Sequence, residues 1–93
     1  MASSRTGYCG ETDADQKADC VAGDAGSVVM SAQQLEGWSS LAAACLDECR
    51  RCARCNFISI SLRWGDCSWF HTCPADLKTA TFGFVSGRVL RAH

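Results

Sequence analysis

The stretch that decides the fold is residues 45–73, which read CLDECRRCARCNFISISLRWGDCSWFHTC. Six of the chain's eight cysteines fall within it. Its first half spaces cysteines as a helix face does, and its second half has the alternation and turn chemistry of a β-hairpin. The stretch therefore predicts one helix joined to a hairpin by its cysteines.

The predicted helix spans about Ser40–Ala53. A serine precedes an alanine-rich run there, and a serine hydroxyl at a helix start can accept an otherwise unpaired backbone N–H. Cys45, Cys49 and Cys52 then recur at i, i+4 and i+7, which places them on one stripe of the helix. The neighbouring charged residues fall mostly on the opposite side, so we expect the sulfurs to face inward.

The clearest predicted strand is Phe57–Leu62, where apolar residues alternate with serines. Gly65-Asp66 supplies turn chemistry, Cys67–His71 runs back as its partner, and Pro74 ends the ladder. Weaker strand candidates are Ser27–Ser31, Thr79–Val85 and, after an interruption at Gly87, Arg88–Leu90. These elements predict a small α+β domain with an antiparallel sheet.

Composition limits the class of protein. Eight cysteines in 93 residues indicate a disulfide-stapled single domain, secreted or in another oxidising compartment. No signal peptide is visible, so we interpret the chain as a trimmed mature domain or an excised piece. The longest apolar run, Leu41–Leu46, is too short to cross a membrane. A net charge of −1 and the absence of interleaved basic and aromatic residues argue against nucleic acid as a partner.

Three chemistries fit the clustered cysteines. Zinc favours two separated C-x2-C pairs, whereas here Cys49, Cys52 and Cys55 crowd one segment. Redox chemistry needs a lowered thiol pKa, but these residues sit at the negative end of the helix, which raises it. Structural disulfides remain the prediction, with no metal and no cofactor. Residues 1–27 are interpreted as a loop-rich lead-in pinned by Cys9 and Cys20, which are each other's nearest available partners.

The cysteine spacing resembles that of a known family. Cys45-x3-Cys49 on a helix, Cys55-x-Phe57 opening a strand and Cys67-Ser-Trp69-Phe70 on the next strand resemble the PAN/apple domain over roughly residues 38–90. That family includes the N-terminal domain of hepatocyte growth factor, and similar cysteine-rich domains occur in protist and algal proteins. The resemblance implies one helix packed on a curved antiparallel sheet.

The resemblance also implies a set of disulfides. They are Cys45–Cys67 and Cys49–Cys55, with Cys52–Cys73 and Cys9–Cys20 formed from the remaining cysteines. This chain departs from the family because only five residues separate Cys49 from Cys55 and because Cys52 is an extra cysteine between them. Cys52–Cys55 is therefore an alternative closure.

The three tryptophans carry different expectations. Trp69 shares a strand face with Cys67 and is predicted to be core. Trp38, just ahead of the helix, is interpreted as a hydrophobic plug at the helix start. Trp64 falls at the hairpin tip, where it either recognises a ligand or folds back over the sheet.

The resemblance implies a non-enzymatic extracellular recognition module that binds protein or carbohydrate. The predicted ligand-binding residues are Arg51, Arg54, Arg63 and Trp64, because guanidinium groups suit sulfate and carboxylate and an exposed indole suits a sugar face. The predicted partner is thus a protein or an anionic carbohydrate. No motif places a nucleophile beside His71 or His93, so no catalytic residue is predicted.

Two alternatives belong to other classes of protein. One is a small structural subunit docked in a larger extracellular or organelle-lumen assembly, for example an algal photosynthetic complex. Such a subunit would bury a large apolar surface. The other is a zinc-binding module, which requires free thiolates.

Overall fold

A computed structural model describes residues 4–12, 20–79 and 82–89. In chain order its elements are β1 (Ser4–Thr6), β2 (Ala25–Val28), α1 (Trp38–Arg50), β3 (Phe57–Ser61), β4 (Asp66–Phe70) and β5 (Val85–Arg88). The strands form one sheet in the order β1-β5-β3-β4-β2. Every neighbouring pair is antiparallel. The predicted class, a small α+β domain with one helix on an antiparallel sheet, is confirmed.

One face of the sheet packs against α1. Alternation along β3 and β4 sends Ile58, Ile60, Cys67 and Trp69 to this face, and each is at most 3% exposed. The helix contributes Leu41, Cys45 and Cys49, which are equally buried. The predicted core position of Trp69 is confirmed.

The opposite face carries a row of serines. Ser59 stands directly across from Ser68 on β4 and from Ser86 on β5, and all three are buried. The Ser59 and Ser86 hydroxyl oxygens are 2.7 Å apart, and Ser59 Oγ accepts the backbone N–H of Cys9 at 3.0 Å. These hydrogen bonds satisfy the polar groups that burial would otherwise penalise. We call this side the serine face.

Residues 7–12 cover the serine face. Ser86 Oγ donates to the carbonyl of Gly7 at 2.7 Å. Gly7 has φ +119°, and a Cβ at that position would lie 2.7 Å from the Leu77 Cβ. Only glycine fits such a backbone conformation and close approach without strain.

The helix is offset from its predicted bounds of Ser40–Ala53. It begins at Trp38 and ends at Arg50, so Cys52 lies in the turn that follows rather than on the helical stripe. The chain must leave the helix early because Cys49 and Cys55 are bonded to each other across this turn. Cys52 is still 2% exposed.

The strands differ from the predicted ones at three places. β1 lies within the loop-rich lead-in, where no strand is predicted, because its backbone pairs with β5. β2 is Ala25–Val28 rather than Ser27–Ser31, because Ala25 is held opposite Phe70. β5 is Val85–Arg88, so that among the described residues of the predicted strand Thr79–Val85 only Val85 is in a strand. Gly87 pairs with Ile58 instead of interrupting the strand. Residues 80, 81 and 90, which belong to the predicted strands Thr79–Val85 and Arg88–Leu90, lie outside the described residues.

Four disulfides join these layers: Cys9–Cys73, Cys20–Cys52, Cys45–Cys67 and Cys49–Cys55. The last two are the pairs that the resemblance implies. The implied Cys52–Cys73 and Cys9–Cys20 pairs are wrong, as is the alternative Cys52–Cys55 closure. Cys9 lies in the segment that covers the serine face and is bonded to Cys73, which follows β4. Cys20 lies beside the turn after α1, where the backbone N–H of Arg54 donates to the Cys20 carbonyl at 3.2 Å.

Candidate ligand-binding surface

The candidate surface is built on the turn between β3 and β4. Residues 62–65 form this turn, and Gly65 adopts φ 62° at its end, the left-handed region that glycine enters without strain. The backbone N–H of Trp64 donates to Ser61 Oγ at 3.1 Å. The turn is therefore fixed to the end of β3, and the side chains of Arg63 and Trp64 project from it.

The Trp64 side chain is both exposed and held in place. It is 56% exposed, and its Nε1–H donates to the Phe82 carbonyl at 2.9 Å. The Arg63 guanidinium carbon lies 5.3 Å from the ring centroid, within the range of a cation–π interaction. An aromatic plane and a cation thus lie side by side at the hairpin tip. This is the arrangement that the interpretation of Trp64 as a ligand-binding residue requires.

Further aromatic residues lie at the same end of the sheet. Phe82 is 81% exposed and Trp38 is 43% exposed. A shallow groove of about 370 Å³ runs beside Trp38 and is lined by Ser39, Ala42, Ile60 and Val85. We call Trp38, Arg63, Trp64 and Phe82 the aromatic end. Trp38 is the first residue of α1 rather than a residue ahead of it, and its exposure corrects its interpretation as a hydrophobic plug at the helix start.

Arg51 and Arg54 lie at the other end of β3 from Arg63. Arg51 is paired with Asp47 at 2.8 Å and with Glu48 at 3.8 Å. Arg54 donates to Asp24 Oδ1 and to the Gly23 carbonyl, both at 3.1 Å. The four predicted ligand-binding residues therefore form no single patch, and only Arg63 and Trp64 come together.

Only some of these contacts could be predicted from the sequence. The i, i+4 spacing of Asp47 and Arg51 indicates their ion pair, but nothing local connects Arg54 with Asp24. The sequence places Phe82 within the strand candidate Thr79–Val85. Its place beside Trp64 follows from the pairing of β5 with β3, which a single sequence does not reveal.

One carboxyl group close to the tip has a perturbed pKa. Burial raises the pKa of Asp66 above its ordinary value, and a hydrogen bond donated by Ser68 at 2.8 Å opposes that shift. Ser68 Oγ also lies 2.7 Å from the Thr12 hydroxyl. These hydrogen bonds connect Thr12, in the segment of residues 7–12 that covers the serine face, to Asp66 at the start of β4.

The cysteine sulfurs leave no thiolate for zinc, since all eight are in disulfides. Within the described ranges, no group of three His, Cys, Asp or Glu side chains is arranged to hold a metal ion. The ring of His71 contacts the Arg54 carbonyl through Nδ1 at 2.9 Å. His93 lies outside the described residues.

No protein-family model, curated protein or solved structure matches this chain. The class of protein is therefore stated from the fold: a small α+β domain cross-linked by four disulfides, the bonding state of an oxidising compartment. α1, the helix that the described residues contain, is too short to cross a membrane.

Proposed function

We propose that this protein is a non-enzymatic recognition module of the extracellular space or a comparable oxidising compartment, and that its hairpin tip binds an anionic carbohydrate. The observation that carries the proposal is the exposed Trp64 ring, fixed by its bond to the Phe82 carbonyl, with the Arg63 guanidinium beside it. The resemblance of residues 38–90 to PAN/apple domains points to the same class of function.

The geometry suits a sugar that carries a carboxylate or sulfate. An indole face packs against the apolar face of a pyranose ring, while a guanidinium fork donates paired hydrogen bonds to an oxyanion. Trp64 loses little conformational entropy on binding because its ring is already restrained, and restraint of this kind favours affinity. Arg51 and Arg54 are engaged by carboxylates and contribute less.

The test is retention on heparin at low salt, followed by titration with a heparin hexasaccharide. We expect Arg63→Gln and Trp64→Ala each to weaken binding about fivefold, which corresponds to about 1 kcal/mol. Arg51→Gln removes the same charge from an ion-paired arginine at the other end of β3, so it is the matched control and should change affinity less than twofold. Raising the salt concentration should weaken wild-type retention.

Two results would contradict the proposal. One is a wild-type protein that heparin does not retain at low salt. The other is an equal loss of affinity in Arg51→Gln and Arg63→Gln, because that would mean that net charge, rather than the hairpin tip, determines retention.

A second candidate function is that of a small structural subunit docked in a larger extracellular or organelle-lumen assembly. The observation that favours it is the exposure of Phe82 and Trp38 beside an apolar groove at one end of the molecule. Phe82→Ser would separate the two functions, since it removes an exposed apolar side chain but leaves the Phe82 carbonyl that holds Trp64. Loss of incorporation into an assembly with unchanged heparin binding would favour the subunit.

A further inference from the structure

A second cleft lies on the serine face, at the end of β3 away from the hairpin tip. Its volume is about 250 Å³. The strands β3 and β5 and the segment after β4 contribute most of its lining, namely Phe57, Ser86, Gly87, Cys73, Pro74, Ala75 and Leu77. Arg5 and Arg88 complete it. None of these residues belongs to the aromatic end.

The segment after β4 is tied down at three points. Cys73 is bonded to Cys9, and Tyr8 and Lys78 exchange two backbone hydrogen bonds of 2.9 Å. Between these points, Arg5 Nη2 donates to the Ala75 carbonyl at 2.7 Å. The cleft is therefore largely preformed, so little conformational entropy is lost when a ligand binds.

Both arginines project on the same side of the sheet. Arg5 stands opposite Ser86, and Arg88 stands opposite Phe57 in the adjacent row, so alternation places all four side chains on the serine face. Among the described residues, neither arginine forms an ion pair with an acid. Arg5 uses one of its five N–H groups on Ala75, which leaves donors for a ligand.

We propose that this cleft binds a small oxyanion, a carboxylate or a sulfate, carried on a single ring. Two guanidinium groups supply paired donors for the oxyanion. Phe57, Pro74 and Leu77 supply an apolar surface for the ring. Sites for drug-sized ligands occupy about 300–1,000 Å³, so a cleft of about 250 Å³ accommodates one ring rather than an extended chain.

The test is a titration of the 15N-labelled protein followed by the backbone amide resonances of Ser86, Gly87 and Arg88. The probes are benzoate and glucuronate as ring-bearing oxyanions, benzamide as a neutral ring and inorganic sulfate as an oxyanion without a ring. We expect saturable shifts with benzoate or glucuronate, at a Kd roughly tenfold below those of benzamide and sulfate. The tighter of the two oxyanions identifies the ring as aromatic or as a sugar.

Arg88→Gln should raise the Kd of the tighter probe about fivefold. Arg50→Gln removes the same charge from an exposed position on α1 and is the matched control, which should leave the Kd unchanged. Arg88→Lys keeps the positive charge but loses the paired guanidinium donors, and its Kd should lie between those of the wild type and Arg88→Gln. This variant keeps the proposal testable if Arg88→Gln fails to fold.

The proposal is overturned if no probe gives saturable shifts at the cleft amides, or if neither benzoate nor glucuronate binds more tightly than benzamide and sulfate. Equal weakening in Arg50→Gln and Arg88→Gln would also overturn it. Because the cleft and the hairpin tip share no residue, loss of one proposal leaves the other standing.

Discussion

Asp66 couples the hairpin to the segment that covers the serine face. Its carboxylate accepts a hydrogen bond from Ser68, whose hydroxyl also meets Thr12. Because burial raises its pKa, the folded protein holds this proton more tightly than the unfolded chain does. The resulting stabilisation is fully present below the unfolded-state pKa and is lost as pH rises through the folded-state pKa.

We therefore expect Asp66→Asn to be more stable than the wild type at neutral pH, with the advantage disappearing in acid. The asparagine keeps an oxygen that accepts from Ser68 but carries no charge to desolvate. Urea unfolding at several pH values between 3 and 7 measures the difference in unfolding free energy. Asp76→Asn, at an exposed position, is the control, and a pH-independent difference for Asp66→Asn would contradict the argument.

Individual residues were predictable where their surroundings are local. The sequence predicts Trp69 to be core because it shares a strand face with Cys67, and the alternation within Phe57–Leu62 places Ser59 on the face opposite Ile58 and Ile60. No residue near Ser59 in the sequence indicates that Ser59 forms hydrogen bonds with Cys9 and Ser86. A buried serine row needs contacts from three distant segments, which a single sequence does not specify.

The start of α1 illustrates how an element can form without its strongest local signal. Its N-cap is Gly37, extended at φ −169° and ψ 171°, and it makes no side-chain capping bond. The serines that suggested the helix start lie inside the first turn instead. Packing of Leu41 and Cys45 against the sheet sets the position of the helix, because burial outweighs the few tenths of a kcal/mol that separate good N-caps.

Gly37→Ser should therefore stabilise the domain by about 0.3–0.5 kcal/mol. A Cβ at this position meets no atom within 4 Å, and the serine hydroxyl can accept an unpaired backbone N–H of the first turn. Thermal or urea unfolding measures the gain. Gly37→Ala adds the Cβ without the hydroxyl and should give no such gain, so equal stabilisation by both variants would refute the capping explanation.

The elements differ in how far sequence predicts them. β3 and β4 agree with their predicted bounds to within one residue because alternation and turn chemistry are both local. β1 has no such pattern, since Ser4, Arg5 and Thr6 are all exposed. These residues form a strand because their backbone pairs with that of β5. The aromatic end depends on the pairing of β5 with β3, so the sequence predicts only its hairpin residues, Arg63 and Trp64.

At the scale of the whole molecule, the disulfides join every layer of the fold. Cys9–Cys73 fixes the covering segment, Cys45–Cys67 ties α1 to β4, and Cys20–Cys52 attaches the chain ahead of β2 to the turn after α1. The two short-range bridges within residues 45–67 followed from the family resemblance. The other two span 64 and 32 residues and depend on which segments the sheet brings together.

We expect reduction to unfold the domain. Closing a loop as long as that of Cys9–Cys73 contributes about 4 kcal/mol through the entropy of the unfolded chain, a large share of the roughly 5–15 kcal/mol by which domains are stable. Near-UV circular dichroism with and without strong reductant is the measurement. A reduced and alkylated protein that keeps its native near-UV spectrum would contradict the expectation.

The position of Cys9–Cys73 also determines how the domain responds to mechanical tension. A pull applied to the two ends of the chain passes through this bond and bypasses β2, α1, β3 and β4, which all lie between the two cysteines. From Ser4 to Val89, only the short stretches outside the bond can be drawn out, to about 70 Å in all. Force would peel β1 and β5 from the sheet, draw Phe82 away from Trp64 and then reach the Cys9–Cys73 bond, which would leave β2, α1, β3 and β4 unloaded.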